Sequence, residues 1–497
     1  MLDHSASEAE ASRRASREGP FDAVVVGAGP NGLAAGIELA RAGASVAVLE
    51  GGDTIGGGTR VAELTLPGFV HDVCSGAHPM GILSPFFREL PMAKHGLEWV
   101  LPGASVAHPR EGAPAVLLWR SLERTCAELG RDAARYRRMI EPFLVEPHAL
   151  LRDLLGPLRF PERPVDFVRF GALALWPATW VARALFREEP ARSLFAGCAA
   201  HSILPLSQPA TAALGLIFAI TAHVAEWPVA RGGSAAITNA LARYFESLGG
   251  SIRTSHPVRT AADLPPARSF LFDTDPRQLA DVAGPALPSG YVRRLRRYRY
   301  GPGVFKMDFA LDGPIPWSDP RCLEASTVHV GGTLAEIAAS ERAMWRGEHS
   351  ERPFLIVVQQ SQFDASRAPA GKHTGYAYCH VPHGSTVDMS ERIESQIERF
   401  APGFRERILA RHRMTTMDLQ RSNPNYVGGA ITGGAADVTQ LYTRPVARLD
   451  PYSTPNPRVW ICSAATPPGG GVHGMCGFHA ARSVLRRLDR LPAGPLV

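Results

Sequence analysis

Residues Phe21 to Glu50, FDAVVVGAGPNGLAAGIELARAGASVAVLE, constrain this chain more than any other segment. An apolar strand (Ala23–Val26) runs into a glycine turn. A helix follows with Leu33, Ile37 and Leu39 inward and an end near Gly43, and a second strand, Val46–Leu49, closes a βαβ unit. Gly27, Gly29 and Gly32 fall at the strand-to-helix junction in the order G-x-G-x-x-G, with Pro30 and Asn31 between them. Gly27 permits the tight turn, Gly29 lets the backbone approach a diphosphate, and Gly32 allows close helix–strand packing. The helix N-terminus adds amide donors and partial positive charge. Glu50, 18 residues past Gly32, ends the second strand, where a carboxylate can accept both hydroxyls of an adenosine ribose. It would repel a 2′-phosphate, so NADP is disfavoured here.

The remaining nucleotide-type elements are scattered. Ser234 to Leu248 carries Ile237, Leu241, Phe245 and Leu248 at helical spacing, with Gly249-Gly250 as a stop. The strand-like SIRTSHPV follows, then an apolar strand, Phe270–Phe272, ending in Asp273-Thr274-Asp275-Pro276. A last strand, Val459–Cys462, leads into Gly469-Gly470-Gly471 and a helix over roughly Met475–Leu488. Between these pieces, residues 105–225 read as helical and Pro-interrupted. Residues 300–425 mix strands with loops, including Val304–Leu311 and Phe354–Val358. The expected fold is therefore α/β, a discontinuous Rossmann-like domain from 21–105, 226–298 and 426–497. An α+β substrate domain, 106–225 and 299–425, is threaded into it. Residues 1–20, without an apolar core, read as a disordered tail rather than a signal.

The chain holds 48 Gly and 42 Pro among 497 residues, against 45% hydrophobic residues, so the surplus belongs to turns of a folded protein rather than to a disordered one. Four segments (27–36, 51–58, 232–250 and 469–477) hold 18 of the glycines, most of them around the nucleotide-type elements. The prolines find no such address. A net charge of +6 without a long basic run argues against a nucleic-acid partner. The densest patch, Tyr291–Tyr300, reads as a solvated helix face or a contact for acidic or lipid headgroups. Seven cysteines without C-x-x-C exclude a disulfide scaffold and suit a reducing, cytoplasmic compartment. Phe167 to Phe186 is apolar, with Trp176 and Trp180, yet too short to span a bilayer. It is either a buried helix pair broken at Pro177 or a segment lying at a membrane interface with both tryptophans at headgroup depth.

Only one dinucleotide fingerprint occurs, so no separate nicotinamide site is visible. After Glu50 come Gly56, Gly57, Gly58 and Thr59-Arg60. Their amides can face a diphosphate and Arg60 can neutralise it. The C-terminal block, with Ser463, Gly470, Gly471, Gly474 and Met475, ends in a helix N-terminus suited to negative charge on a reduced isoalloxazine. Such a returning element is expected for FAD and unusual for NAD.

With these motifs the chain resembles the phytoene-desaturase-like, FAD-dependent oxidoreductases of the flavin amine oxidase superfamily, from Phe21 to about Leu488. The resemblance rests on VVVGAGPNGLAAGIELARAG, IGGGTR with PGFVHD, RGGSAAITNALARYFESLGG, YGPGVFKMDFALDGPIPW and PPGGGVHGMCGFHAAR. It implies that Val258 lies against adenine through its backbone and that Lys306 approaches flavin N5 through a water. The alternative for Lys306 is a strand lysine with its head at the domain surface. Departures are Gly58-Thr59-Arg60, where many relatives carry Arg directly after the glycine pair, and Ser463 in place of Gly.

The expected activity is a flavin-dependent dehydrogenase or desaturase on an isoprenoid- or lipid-like substrate, with hydride passing to N5 and electrons leaving to oxygen or a membrane quinone. Lys306 and His78 are the candidates for positioning water or moving the proton, and His473 lies near the flavin loop in sequence. His201, His373 and His380 show no metal-ligand spacing. The alternatives are a redox-neutral flavin isomerase, an amine oxidase, or a lipid-binding escort module without catalysis. The amine oxidase needs an aromatic pair that the C-terminal loop does not show. The oligomeric state has no signature in the sequence.

Overall fold

The computed structural model describes residues 20–497, so the expected N-terminal tail lies outside the described residues apart from Pro20. The strands used below are β1 (Phe21–Val26), β2 (Val46–Leu49), β3 (Ala104–Arg110), β4 (Ala113–Trp119), β5 (Ser251–Arg253) and β6 (Ala267–Phe272). They continue with β7 (Gly303–Leu311), β8 (Ala325–Val330), β9 (Leu355–Val358), β10 (His373–Val381), β11 (Ile408–Met414) and β12 (Val459–Ile461). The helices are α1 (Pro30–Arg41), α2 (Pro164–Ala174), α3 (Ala178–Leu185), α4 (Glu189–Ala200), α5 (Ala212–Ala225), α6 (Ala235–Ser247), α7 (Leu334–Ala343) and α8 (Met475–Leu485).

Five parallel strands form one sheet in the order β12-β6-β1-β2-β5. Their near-continuous apolar runs follow from coverage on both faces. Alternation sends Ala23, Val25, Val46 and Val48 toward α1, α6 and α8, where Leu33, Ile37, Leu241 and Val484 pack. Val24, Val26, Ala47 and Leu49 face the opposite way, onto Leu279, Tyr291 and Leu295. Within that layer, the arginine-rich segment forms a helix, Ser289–Arg296, with Tyr291 and Leu295 buried and its arginines outside. β5 stops at Arg253, short of the expected strand, because Ser255 takes a left-handed conformation (φ 51°) and Pro257 follows. The last helix also ends early, at Leu485, and gives way to a 3-10 turn over Leu488–Arg490.

The second sheet has seven strands in the order β11-β7-β10-β9-β8-β3-β4, antiparallel except for β8 beside β3. Its first hairpin corrects the expectation that residues 105–225 are helical throughout. β3 and β4 turn at Gly112 (φ 64°), so the Pro and Gly signals there mark a hairpin and not helix breaks. Helices α2–α5 and α7 cover one face of this sheet, with Phe170, Phe195 and Leu216 packed against Val106, Ile356 and Val358. Phe305, Met307 and Val357 fill the other face with Ile393, Ile397 and Phe400.

The apolar segment at 167–186 is a helix pair broken at Pro177, which is extended (ψ 135°). Phe170, Ala174, Val181 and Phe186 are buried, but Trp176 and Trp180 are 52% and 58% exposed and stack with centroids 5.9 Å apart. Among the described residues no helix is long and apolar enough to cross a membrane. Prolines find their place at helix starts, where a missing N–H costs nothing: α1, α2 and α4 each carry Pro in the first turn.

Candidate functional site

At the carboxyl end of β1 the strand order of the parallel sheet reverses, and this is where such sheets bind ligands. Gly27 sits there with φ 103°, and a Cβ on it would come within 2.9 Å of the Asp273 carbonyl oxygen. A Cβ on Gly32 would lie 2.0 Å from the Gly27 carbonyl oxygen, so α1 packs backbone to backbone against the turn. Gly29 is the N-cap of α1, Pro30 follows, and no acidic side chain occupies the first turn. Across from it, a Cβ on Gly57 would meet the Gly29 Cα at 3.2 Å, so two stretches of bare backbone face each other. Beside them the Asn31 Oδ1 is buried without a hydrogen-bond partner. Bare backbone at a helix N-terminus, with a buried side-chain amide beside it, forms a cradle that can receive a diphosphate.

Glu50 marks one end of the cradle. Its Oε2 accepts from the Ala28 amide at 2.8 Å and its Oε1 from the Gly52 amide at 2.9 Å. A carboxylate retains lone pairs after two such bonds, so ribose hydroxyls can still be accepted. The His256 amide donates to the Glu50 carbonyl at 2.8 Å, which brings the loop carrying Val258 alongside. Arg60 does not line the cavity. Its Nε donates to the Gly57 carbonyl at 3.1 Å and its Nη2 to the Ser422 carbonyl, so it ties the glycine loop to the second unit. Sequence reading missed Asp273, although it noted the strand ending that contains it. Its Oδ2 accepts from the Gly32 amide at 2.8 Å. Burial, with Glu50 nearby, pushes this carboxyl well up, which weakens the repulsion it would offer an anion in the cradle.

Ser463, Gly470 and Gly471 line the same cavity as Gly29, Pro30, Asn31, Gly57 and Gly58. Gly474 and Met475 stand behind them at the start of α8. His473 does not reach the cavity either. It is 1% exposed, and its Nδ1 accepts from the Met475 amide at 3.0 Å, capping α8. Burial lowers it to about 4, so it is the neutral acceptor such a cap needs.

From the cradle the cavity continues between the two sheets to Lys306, His78, Phe218, Trp227, Ile356 and Tyr378. Lys306, on β7, is 2% exposed, which excludes a surface position for its head. Its Nζ donates to Asp308 Oδ1 and lies 4.5 Å from the Tyr376 ring centroid. Burial opposes ionisation of Asp308, but Lys306, His412 and His71 outweigh it and hold the carboxyl below its usual range. His78 is 2% exposed. Its Nδ1 lies 3.2 Å from the Ser75 hydroxyl and its Nε2 has no partner. Burial lowers it to about 4, leaving a neutral imidazole with a free ring nitrogen at the cavity. No local pattern singles out Trp227, Tyr376 and Tyr378, which line the cavity from a loop and from alternate positions of β10.

Comparison with known proteins agrees with this architecture. Residues 25–90 match the family described as "NAD(P)-binding Rossmann-like domain". Fold and comparisons together support a flavin-type oxidoreductase. More particularly, the chain is similar along its length to a lycopene-forming phytoene desaturase of Pseudescherichia vulneris, 25% identical over 93% of this chain and 98% of the relative. It is also similar to pyridine nucleotide-disulfide oxidoreductase domain-containing protein 2 of Rattus norvegicus, 26% identical over 95% of this chain and 94% of that protein. Among solved structures, an oxidoreductase from Methanosarcina mazei shares the fold, with a TM-score of 0.62 at 16% identity over 93% of this chain and 99% of that one.

Proposed function

We propose that the chain is an FAD-dependent dehydrogenase for an apolar, lipid- or isoprenoid-like substrate. The observation that carries this is the single cavity, which joins the diphosphate cradle to an apolar chamber with Lys306 and His78 between them. FAD would be held by Gly29, Asn31 and Gly57 at the diphosphate, Glu50 and Val258 at the adenosine, and Ser463, Gly470 and Gly471 at the ring. When bound, it supplies an acceptor for a hydride drawn from carbon, with oxygen or a quinone as the final acceptor. The chain's own part is positioning. Asp308 and Tyr376 fix the Lys306 ammonium, where it can hold a water or steady negative charge. His78, neutral and unpartnered, can accept the proton that leaves the neighbouring carbon. Ile356, Val358 and Phe218 keep bulk water from the reacting carbon.

The test is anaerobic bleaching of the flavin band near ~450 nm, screened across isoprenoid, fatty-acyl and amine substrates. Bleaching by an apolar substrate supports the reading. A protein that neither contains nor takes up FAD overturns it, and turnover without an electron acceptor points to isomerisation. Glu50→Ala is expected to weaken FAD binding by roughly 10- to 100-fold, because two hydrogen bonds to a charged group are lost. Titration of the apo-protein by flavin fluorescence reads the change, with circular dichroism as the control for folding.

The same reading places the protein against an anionic lipid surface. Val165, Val168, Leu175, Trp176 and Trp180 form an exposed apolar patch, and Arg183 and Arg187 are exposed beside it. The Ala210 and Ala212 amides donate to the Leu175 and Trp176 carbonyls, so the patch is tied to α5, whose Leu214 and Phe218 line the cavity. An apolar substrate can pass from lipid to cavity along that helix. Trp176→Glu with Trp180→Glu is expected to abolish co-sedimentation with phosphatidylglycerol vesicles without changing FAD content. Retained vesicle binding in that variant would dismiss the patch.

A further inference from the structure

The chamber is apolar near Lys306 but not at its far end. In the second sheet Lys306 stands opposite Tyr378, Tyr378 opposite Ile356, and Ile356 opposite His329. One cross-strand row thus leads from the lysine to a histidine, three strand spacings or about 14 Å away. His380 lies one strand and two residues from Lys306, about 8 Å.

Two imidazole pairs occupy that end. His201, just past α4, has its Nε2 2.9 Å from His329 Nε2. The His329 Nδ1 has no partner and faces Gly197, where even a Cβ would stand 2.6 Å away. A proton on that nitrogen would be a buried donor with nothing to meet. His329 therefore carries its proton on Nε2 and donates it to His201, whose own proton then sits on Nδ1. In the second pair, His380 Nδ1 lies 2.8 Å from Glu341 Oε2, on α7. His380 Nε2 and Glu341 Oε1 have no partners. The Glu341 side chain is fully buried and that of His380 is 2% exposed. His201 and His380 both line the cavity. Among the described residues no group of three or more His, Cys, Asp or Glu is arranged for a metal ion, so these pairs do not make a metal site.

Buried, unpartnered ring nitrogens are costly, and a plain hydrocarbon would leave them so. A carboxylate would bring a net charge into a buried end and gain no cation from His201, which burial lowers to about 3. An ammonium group would meet the His201 donor. A hydroxyl serves both sides. It accepts from His201, and it can donate to His380 or accept from it, whichever partner in the Glu341 pair holds the proton.

We propose that the cavity ends in a hydroxyl-recognition site, formed by His201 and His380 and positioned by His329 and Glu341. The substrate is then an amphipathic lipid-like molecule whose hydroxyl lies about 8–14 Å from the carbon that reacts beside Lys306. The inference rests on the reading of Lys306 as the flavin-side residue.

The test compares decanol with decane, decylamine and decanoate as probes. Binding is read on the FAD-loaded protein from flavin absorbance and on the apo-protein from tryptophan fluorescence, since Trp227 lies 5.5 Å from His201 ring to ring. Decanol is expected to bind at least tenfold more tightly than the other three. His201→Phe, and the double variant Glu341→Leu with His380→Phe, should each abolish the preference for decanol over decane without weakening decane binding. Equal binding of decanol and decane, a preference for the amine or the acid, or a preference that survives both variants would overturn the site. The wild-type comparison needs no variant to fold. A failed flavin reading looks different: FAD would not be retained, while the fluorescence preference for decanol would persist.

Discussion

Asp72→Ala is expected to lower the free energy of unfolding by about 3–5 kcal/mol, measured by chemical denaturation. Asp72 and Arg367 are each at most 1% exposed. Asp72 Oδ2 accepts from Arg367 Nη2 at 2.8 Å and from Gln360 Nε2 at 3.1 Å, and its Oδ1 accepts from the Ser234 amide at 2.7 Å. Removing the carboxylate strands a buried guanidinium, and two further donors lose their acceptor. Replacing both partners, Asp72→Leu with Arg367→Met, should recover much of the loss, because no unpaired charge is then buried. The pH dependence has a definite sign. Burial raises the Asp72 carboxyl, but Arg367 and the Ser234 amide outweigh it and hold it below its usual range. The contribution is complete above the unfolded value of about 3.9 and fades as pH falls through the lower folded value. The deficit of Asp72→Ala should therefore shrink only in strong acid.

Gly32→Ala should give a protein that retains no FAD after purification. The new methyl carbon would have to sit 2.0 Å from the Gly27 carbonyl oxygen, and the atom in its way is backbone rather than the end of a flexible side chain. Relief requires α1 to move off the turn, but its other side is equally constrained. A Cβ on Gly477 of α8 would lie 1.8 Å from the Asn31 carbonyl oxygen, so α8 already touches α1 backbone to backbone. Displacing α1 also breaks the 2.8 Å hydrogen bond from the Gly32 amide to Asp273. The flavin absorbance of the purified variant against wild type is the measurement. Full FAD content in Gly32→Ala would refute the close packing described for the turn.

The βαβ unit and Glu50 were legible because their signals are local: apolar strands, a fixed glycine spacing and a carboxylate at the next strand end. The assignment of β5, β6 and β12 to the same sheet was legible for a related reason, since β6 and β12 carry short apolar runs next to turn residues and β5 directly follows the helix stop at Gly249-Gly250. The hydroxyl-site histidines were not. His201 and His380 drew notice only for lacking metal-ligand spacing, and His329 and Glu341 drew none. Four residues from α7, β8, β10 and the end of α4 meet only through strand register and the packing of helices on the sheet, which no local pattern encodes. Asp273 was hidden differently, because nothing in the local sequence shows that this carboxyl is buried and turned onto the Gly32 amide. The hairpin of β3 and β4 was misread because Pro and Gly interrupt helices and turn strands alike.

The order in which β12-β6-β1-β2-β5 assemble has a consequence for synthesis on the ribosome. β1, α1 and β2 emerge first, yet β1 must wait for residues 267–272 to gain its second neighbour. α6 covers α1 in part, and the rest of its cover arrives only with α8, at residues 475–485. A nascent chain therefore carries its glycine turn exposed and half-framed until residues 459–485 have emerged, and chains halted before residue 459 should depend on chaperones and be cleared rather than stored.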